Sequence, residues 1–433
     1  MDPTVVAAWI AAGVSVLTLV GTLVAQYLGY RATSMDAGKT AEAQREQLDR
    51  TLAEQSQQLD KTLGEQRGRT LNERFATAAE QLGSDKPAVR LAGVYAMAGL
   101  ADDWEANRQT CVDVLCAYLR MPYEPDPGEG ASMADQLAFK SSREVRHTVV
   151  RVIAAHLQED TVASWQGLNF DFTGVAFDGG SFARTRFSGG EVSFDNAEFA
   201  SGVVSFEYAE FSGGAVNFAH ARFSGGTVSY YGAKITGGEV SFSGAEVTGG
   251  AVNFYGTEVT GGTIAFRQAR FSGGEVSFSG AEFNAGTVDF RHAELAGGAV
   301  SFEDATFSGG EVNFFSTEFS GGAVDFGRAG FSSGIVYFYN VRFSGSKMSF
   351  SGAKFSGSAV SFEYAQFSGS SIDFGAEFSG GTVDFSGAEF SGGTVDFAGA
   401  DLSGGTLNFR TPRVWSHPPR FPWTGPPPAG VEL

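Results

Sequence analysis

The feature that most constrains this chain is a twelve-residue unit recurring almost without interruption from Phe187 to Phe409. One copy reads Phe211-Ser-Gly-Gly-Ala-Val-Asn-Phe218-Ala-His-Ala221-Arg, and Phe223 opens the next. Large apolar residues therefore fall at alternating spacings of seven and five: Phe187, Phe194, Phe199, Phe206, Phe211, Phe218, Phe223, Tyr230, Ile235 and Phe242. Two positions before each stands a smaller apolar residue, alternately Val (Val192, Val204, Val216) and Ala (Ala197, Ala209, Ala221). A period this short belongs to a solenoid, in which each copy buries its apolar face only against its neighbours. The alternation in Val204-Ser-Phe206 and Ala209-Glu-Phe211 is the period-two signature of short strands. Gly-Gly and Ser-Gly pairs in the seven-residue gaps supply corners with positive φ.

One turn of such a coil holds either twelve residues or twenty-four. A twelve-residue ribbon would have to enclose two Phe, a Val and an Ala, and overpacking of that kind costs ~1–3 kcal/mol per site. The charges preceding the inner residues run Glu198, Glu210, Arg222, Lys234, Glu246, Glu258, Arg270. A twelve-residue turn would stack Glu on Glu. A twenty-four-residue turn gives the columns Glu198–Arg222–Glu246–Arg270–Glu294 and Glu210–Lys234–Glu258. Opposite charges on adjacent strands are favourable by ~0.2–1 kcal/mol and like charges unfavourable. The expectation is twenty-four residues and four faces per turn, with roughly nine turns and a length of ~45 Å at the usual strand separation. Phe374-Gly-Ala-Glu-Phe378 is one residue short, which predicts a local bulge or a tightened corner.

Phe172, Phe177, Phe182 and Phe187 keep a strict five-residue spacing. The stretch 165–409 thus resembles the pentapeptide-repeat family, from which it departs after Phe187 by lengthening every second unit by two residues. The resemblance implies a mainly β fold, a right-handed quadrilateral β-helix with both the large and the small residue pointing inward. Some members of that family imitate duplex DNA and protect type II topoisomerases.

Upstream of the repeat, Val5 to Leu28 is apolar apart from Ser, Thr and one Gln, and a membrane span needs ~20 such residues. Residues 1–30 are read as a transmembrane helix, since neither a basic leader nor a small-residue cleavage site flanks the segment. Asp2 precedes it and Arg31, Lys39 and Arg45 follow, so the positive-inside rule predicts a single-pass protein of the cell membrane with the bulk of the chain cytoplasmic. Residues 31–74 are polar, helix-favouring and free of Pro. They carry an eleven-residue echo (Lys39-Thr-Ala41, Arg50-Thr-Leu52, Lys61-Thr-Leu63, with Leu48 and Leu59). Eleven residues in three turns is a hendecad, which predicts a nearly straight coiled-coil stalk and a homo-oligomer, although Gly64 and Gly68 weaken the helix. The competing reading is a single solvated helix.

Residues 75–160 read as a small helical domain. Ala88 to Leu100 and Glu144 to His156 share a Val-Arg start and apolar helical spacing, similar to HEAT-like helices, with Cys111 to Arg120 between them. Pro122, Pro125 and Pro127 with Gly128 and Gly130 form a loop. A helical adaptor closing the N-terminal end of the coil would cover its unpaired strand edges. Residues 410–433 are dominated by Pro and read as an extended or disordered tail, or as a Pro-rich ligand for an aromatic groove. Taken whole, the chain resembles a recurring type of bacterial membrane protein in which a membrane helix and a helical region precede pentapeptide repeats.

No catalytic, cofactor-binding or metal-binding residues can be assigned. The five His (His147, His156, His220, His292, His417) lack metal-ligand spacing, and no Gly-Lys-Ser/Thr follows the Gly-Gly pairs. Carboxylates repeat in identical surroundings, whereas acid–base pairs need distinct ones. Two Cys predict a reducing compartment and buried thiols. A net charge of −19 disfavours direct nucleic-acid binding. Three readings follow: a non-enzymatic, membrane-anchored scaffold for another protein, an acidic DNA-mimicking rod that modulates a type II topoisomerase, or an enzyme acting on a membrane-side substrate, for which nothing in the residues speaks. Against the second stand the span and the interleaved Arg222, Lys234, Arg270 and Arg342.

Overall fold

A computed structural model of the chain describes residues 2–124 and 126–433, with backbone alone for residues 32–43. Pro125 of the loop and the side chains of Lys39, Thr40 and Ala41 lie outside the described residues. The chain divides into two compact units, residues 1–73 and 74–433.

A single helix, α1 (Pro3–Leu82), supplies the first unit and the opening of the second. Its segment Pro3–Arg31 is 29 residues long with a mean hydropathy of 2.0, enough by length and composition to cross a membrane. The hydroxyls of Ser15, Thr18 and Thr22 turn back onto the carbonyls of Ala11, Val14 and Thr18. These three hydroxyls are thereby satisfied within the helix itself.

In the second unit, α2 (Pro87–Asp103), α3 (Arg108–Arg120) and α4 (Met133–His156) pack together. Pro87 starts α2 at the first position, where its missing N–H is no loss. Ser132 caps α4, its hydroxyl accepting from Asp135 N at 3.2 Å. Val94, Met97, Leu100, Cys111, Leu115, Cys116, Val145, Val149 and Ile153 form the helical core. Gly93 is where α2 crosses the end of α1: a Cβ there would lie 2.7 Å from the backbone N of Leu82.

The rest of the chain is a parallel β-solenoid. A representative turn contains the strands Arg222–Phe223, Thr227–Ser229, Lys234–Ile235 and Glu239–Ser241. Each pairs with the chain twenty-four residues on: Arg222 with Glu246, Thr227 with Ala251, Lys234 with Glu258, Glu239 with Thr263. The twenty-four-residue turn is therefore correct, and the faces collect into two 19-stranded parallel sheets. The coil makes about 11 turns. It begins at Phe170 and runs to Val431–Glu432, adding coils at both ends of the stretch that the repeat defines.

Inside, aromatic rings stack coil upon coil. Phe194, Phe218, Phe242 and Phe266 follow one another at centroid separations of 4.5, 4.8 and 4.7 Å with nearly parallel planes. A facing column (Phe206, Tyr230, Phe254, Phe278) meets the first edge-on, Phe242 to Phe254 at 5.9 Å and 86°. Both geometries suit the ring quadrupole, and each buried ring adds ~1.5–3 kcal/mol of transfer free energy. The short polar residue before most of these rings (Ala265 before Phe266 is an exception) makes the next corner. Asn217 Oδ1 accepts from Ala219 N at 2.9 Å, the residue that follows is His220 with φ 55°, and the chain then turns to Ala221. The other corners need glycine: at Gly238 (φ 72°) a Cβ would approach Gly214 O to 2.5 Å.

The one-residue deletion is absorbed as a tightened corner. Elsewhere Ala353 N reaches Phe350 O three residues back, whereas Ala376 N bonds Phe374 O two residues back at 2.6 Å. Pairing then resumes in register, Lys354 with Glu377 and Ala359 with Thr382.

The expectation of an extended or disordered tail is corrected. Val414–Trp415 and Val431–Glu432 pair with the preceding coil, and Phe421 lies over Phe397 and Phe409 with Trp423 stacked on it at 4.4 Å. The physical reason is that the last coil leaves a ring column and a strand edge open. Trp415, Phe421 and Trp423 cover the rings, while Pro residues present few N–H groups to a further strand. At the other end α3 and α4 close the first coil with side chains. Gln109 bonds both Asn169 N (3.0 Å) and Asn169 O (2.8 Å). Arg120, Arg146 and Arg143 donate to the carbonyls of Asp171, Ala176 and Asp178 at 2.8, 2.9 and 3.1 Å.

Candidate interaction surface

The interior positions are filled by the ring columns, so whatever the coil recognises must be met by outward side chains. Along the strands these are mostly Ser, Thr, Asn, Asp and Glu. The expected charge columns form: Arg222 Nε lies 3.7 Å from Glu246, Lys234 Nζ 3.4 Å from Glu258 and Arg270 Nε 3.5 Å from Glu294. These are exposed pairs, worth ~0–1 kcal/mol each, and they matter more for breaking up the acidic field than for stability.

A tighter ionic site, which the repeat pattern did not disclose, sits at one corner. Asp289 is 1% exposed, and its carboxylate accepts from Arg267 Nε and Arg291 Nη2 at 2.6 Å each. Burial pushes its pKa up, but the hydrogen bonds from Arg291 and Arg267 outweigh this and hold it below the usual carboxylate range. Asp289 occupies the turn-forming place that Ser, Asn or another Asp fills in other coils. Sequence inspection could have found it only as Asp followed two residues later by Arg.

The corner just beyond the first ring column carries a line of rings, exposed except for the half-buried Tyr339, on successive coils. His292 meets Phe315 edge-on at 5.6 Å, Phe315 stacks on Tyr339 at 5.8 Å, and Tyr339 meets Tyr364 at 5.3 Å. Arg413 lies over the Tyr364 ring at 4.9 Å. Arg291, Asn313, Phe315, Tyr337 and Tyr339 border an open groove of 540 Å³. The facing corner has a shorter line, Tyr208, Tyr231 and Tyr255, at separations of 5.5 and 5.6 Å. Most other corners carry Gly, Ser or Ala at these places. The rings were visible in the sequence as exceptions to the repeat. Their alignment was not, because it depends on which corner each coil reaches.

The histidines are held by structural partners. His147 Nε2 lies 2.8 Å from Asp178 Oδ1, and the same carboxylate accepts from Tyr123 Oη (2.7 Å) and Arg143 Nε (2.9 Å). Burial raises the pKa of Asp178, and the bonds from His147 and Tyr123 bring it below its ordinary value. His156 stacks on Trp165 at 4.0 Å and, like Trp165 Nε1, bonds Asp102. His220 Nδ1 lies 3.2 Å from Asp195 Oδ1, and both His220 and His292 adopt positive φ at corners. Cys111 and Cys116 are free and buried, burial pushing the Cys116 thiol up to about 12. Among the described residues no group of three or more His, Cys, Asp or Glu converges on a point where a metal ion could sit.

No family model, no curated protein and no solved structure matches the chain. Fold and ring columns together establish a β-solenoid with turns of about 24 residues and a stacked Phe ladder.

Proposed function

We propose that the chain is a non-enzymatic scaffold, held to a membrane by Pro3–Arg31, whose coil offers the Phe315–Tyr339–Tyr364 edge to a protein partner. The observation that carries this reading is the aromatic line itself. Tyr, Phe and Arg side chains, exposed (Phe315, Tyr364) or half-buried (Tyr339) together beside a groove, are the residue types enriched where proteins bind one another. A rigid coil presents them at fixed spacing, which lowers the ordering cost of association. The buried ionisable groups support a non-catalytic reading, since Asp178 and Asp289 are committed to several structural donors each.

The five-residue spacing from Phe172 to Phe187 supports placing the coil in the pentapeptide-repeat family, with later units lengthened. The satisfied hydroxyls of Ser15, Thr18 and Thr22 support insertion, and Arg31, Lys39 and Arg45 support a cytoplasmic coil. The pairs Arg222–Glu246, Lys234–Glu258 and Arg270–Glu294 weaken the rival reading as an acidic DNA mimic for a type II topoisomerase.

A photo-crosslinking residue at Tyr339, compared with one at Glu246 on a charge column, tests the scaffold reading in native membranes. A protein captured at Tyr339 and not at Glu246 is the expected result. Equal capture at both, or a topoisomerase held through Glu246, would overturn it.

A further inference from the structure

The stalk offers a second surface of a different kind. Leu48, Leu52, Leu59 and Leu63 are 57%, 53%, 58% and 52% exposed, and α1 runs past Gly64 and Gly68 without a break. Superposing residues eleven apart aligns Leu48 with Leu59, Leu52 with Leu63, Gln44 with Gln55 and Gln55 with Gln66. The seam therefore reads Leu48, Leu52, Gln55, Leu59, Leu63, Gln66, in steps of four and three. Eleven residues in three turns is ~3.67 per turn, close to the ~3.6 of an unstrained helix, so the seam stays on one face with only a slight right-handed supercoil. Thr51 and Thr62, beside it, turn their hydroxyls back to the carbonyls of Gln47 and Gln58 at 2.8 Å each. Arg50 pairs with Glu46 along the helix.

We infer that this seam is filled by a second copy of the same chain, parallel and in register. The argument is self-complementarity. At equal heights leucine meets leucine, and glutamine meets glutamine. A carboxamide both donates and accepts, so it pairs with its own image across a symmetry axis, where a carboxylate or ammonium would repel itself. The polar layers of Gln55 and Gln66 among apolar ones also disfavour registers that set glutamine against leucine. The parallel sense rests on the membrane reading above, in which all copies enter from one bilayer. The consequence is that each assembly displays two or more aromatic edges, raising the avidity for a repetitive partner.

The test uses the full chain in native membranes, with Leu59→Cys on the seam and Lys61→Cys on the far side of the helix. Under mild oxidation Leu59→Cys gives a species of twice the chain mass, and Lys61→Cys does not. Adding Gln55→Glu, which sets two carboxylates face to face, lowers that yield severalfold at neutral pH. Equal yields from both cysteines, no product from either, or indifference to Gln55→Glu would overturn the inference. Extraction with alkaline carbonate separates the two readings. A protein released from the membrane that still crosslinks at Leu59 defeats the anchor and keeps the seam. A protein retained in the membrane without the crosslink does the reverse.

Discussion

Tyr230 gives the sharpest test of how the coil is held together, because the sign of the effect follows from one atom. It is fully buried in a ring column that is otherwise Phe, stacked on Phe206 at 5.0 Å and Phe254 at 4.6 Å and edge-on to Phe242 at 6.1 Å. Among the described residues its hydroxyl has no hydrogen-bond partner, and burial pushes its pKa well above the ordinary tyrosine value. A buried donor without an acceptor costs ~1–3 kcal/mol in desolvation. Tyr230→Phe removes that cost and leaves every ring contact in place, giving up only the dispersion of one oxygen, ~0.1–0.2 kcal/mol per atom pair. The expected net gain is about 1–2 kcal/mol, and at ~2–4 °C per kcal/mol for a domain this large Tm should rise by ~2–8 °C. Differential scanning calorimetry of the detergent-solubilised chain reads this directly. The converse substitution, Phe254→Tyr in the next coil of the same column, should lower Tm by a similar amount. An unchanged or lower Tm for Tyr230→Phe would refute the reasoning, as would a Phe254→Tyr variant melting with the parent.

Other consequences are equally direct. Phe266→Asp sets a carboxylate between Phe242 and Phe290, 4.7 and 4.9 Å away, and should abolish cooperative melting; a parent-like transition would mean the ring is not interior. Arg146→Met keeps the side-chain bulk but withdraws donors from the carbonyls of Leu119 and Ala176, at a cost of ~1–3 kcal/mol for each acceptor left bare. Faster hydrogen exchange confined to α4 and the first coil is expected, and unchanged protection there would contradict the capping role. Truncation after Phe409 removes Trp415, Phe421 and Trp423 from the open end and should cause association detectable by light scattering, whereas a monodisperse product would show the cap to be dispensable. Asp289 has a depressed pKa, so its stabilisation is complete above the ordinary Asp value of ~3.9 and is lost as pH falls through the folded value. The stability gap between the parent and Asp289→Asn should therefore shrink below about pH 4; a gap constant with pH would sink the assignment.

The repeat alone determined the kind of fold. Spacings of seven and five can bury Phe218 and Phe223 only against copies of themselves, and the sign order from Glu198 to Glu294 selects the twenty-four-residue turn because like charges on adjacent strands repel. The apolar run of Pro3–Arg31 and the eleven-residue echo were equally legible, since each is a local pattern. Closure of the coil was not. Pro-rich residues 410–433 look unstructured by composition and order only because a ring column and a strand edge stand open above them. Gln109, Arg120, Arg143 and Arg146 are ordinary helix residues until the first coil presents bare carbonyls to them. The Phe315–Tyr339–Tyr364 line and the Arg267–Asp289 pair likewise exist only once the winding brings residues about one turn apart to the same corner. Periodicity fixes what is repeated. The exceptions acquire meaning from neighbours that are distant in sequence, and tertiary structure alone supplies those.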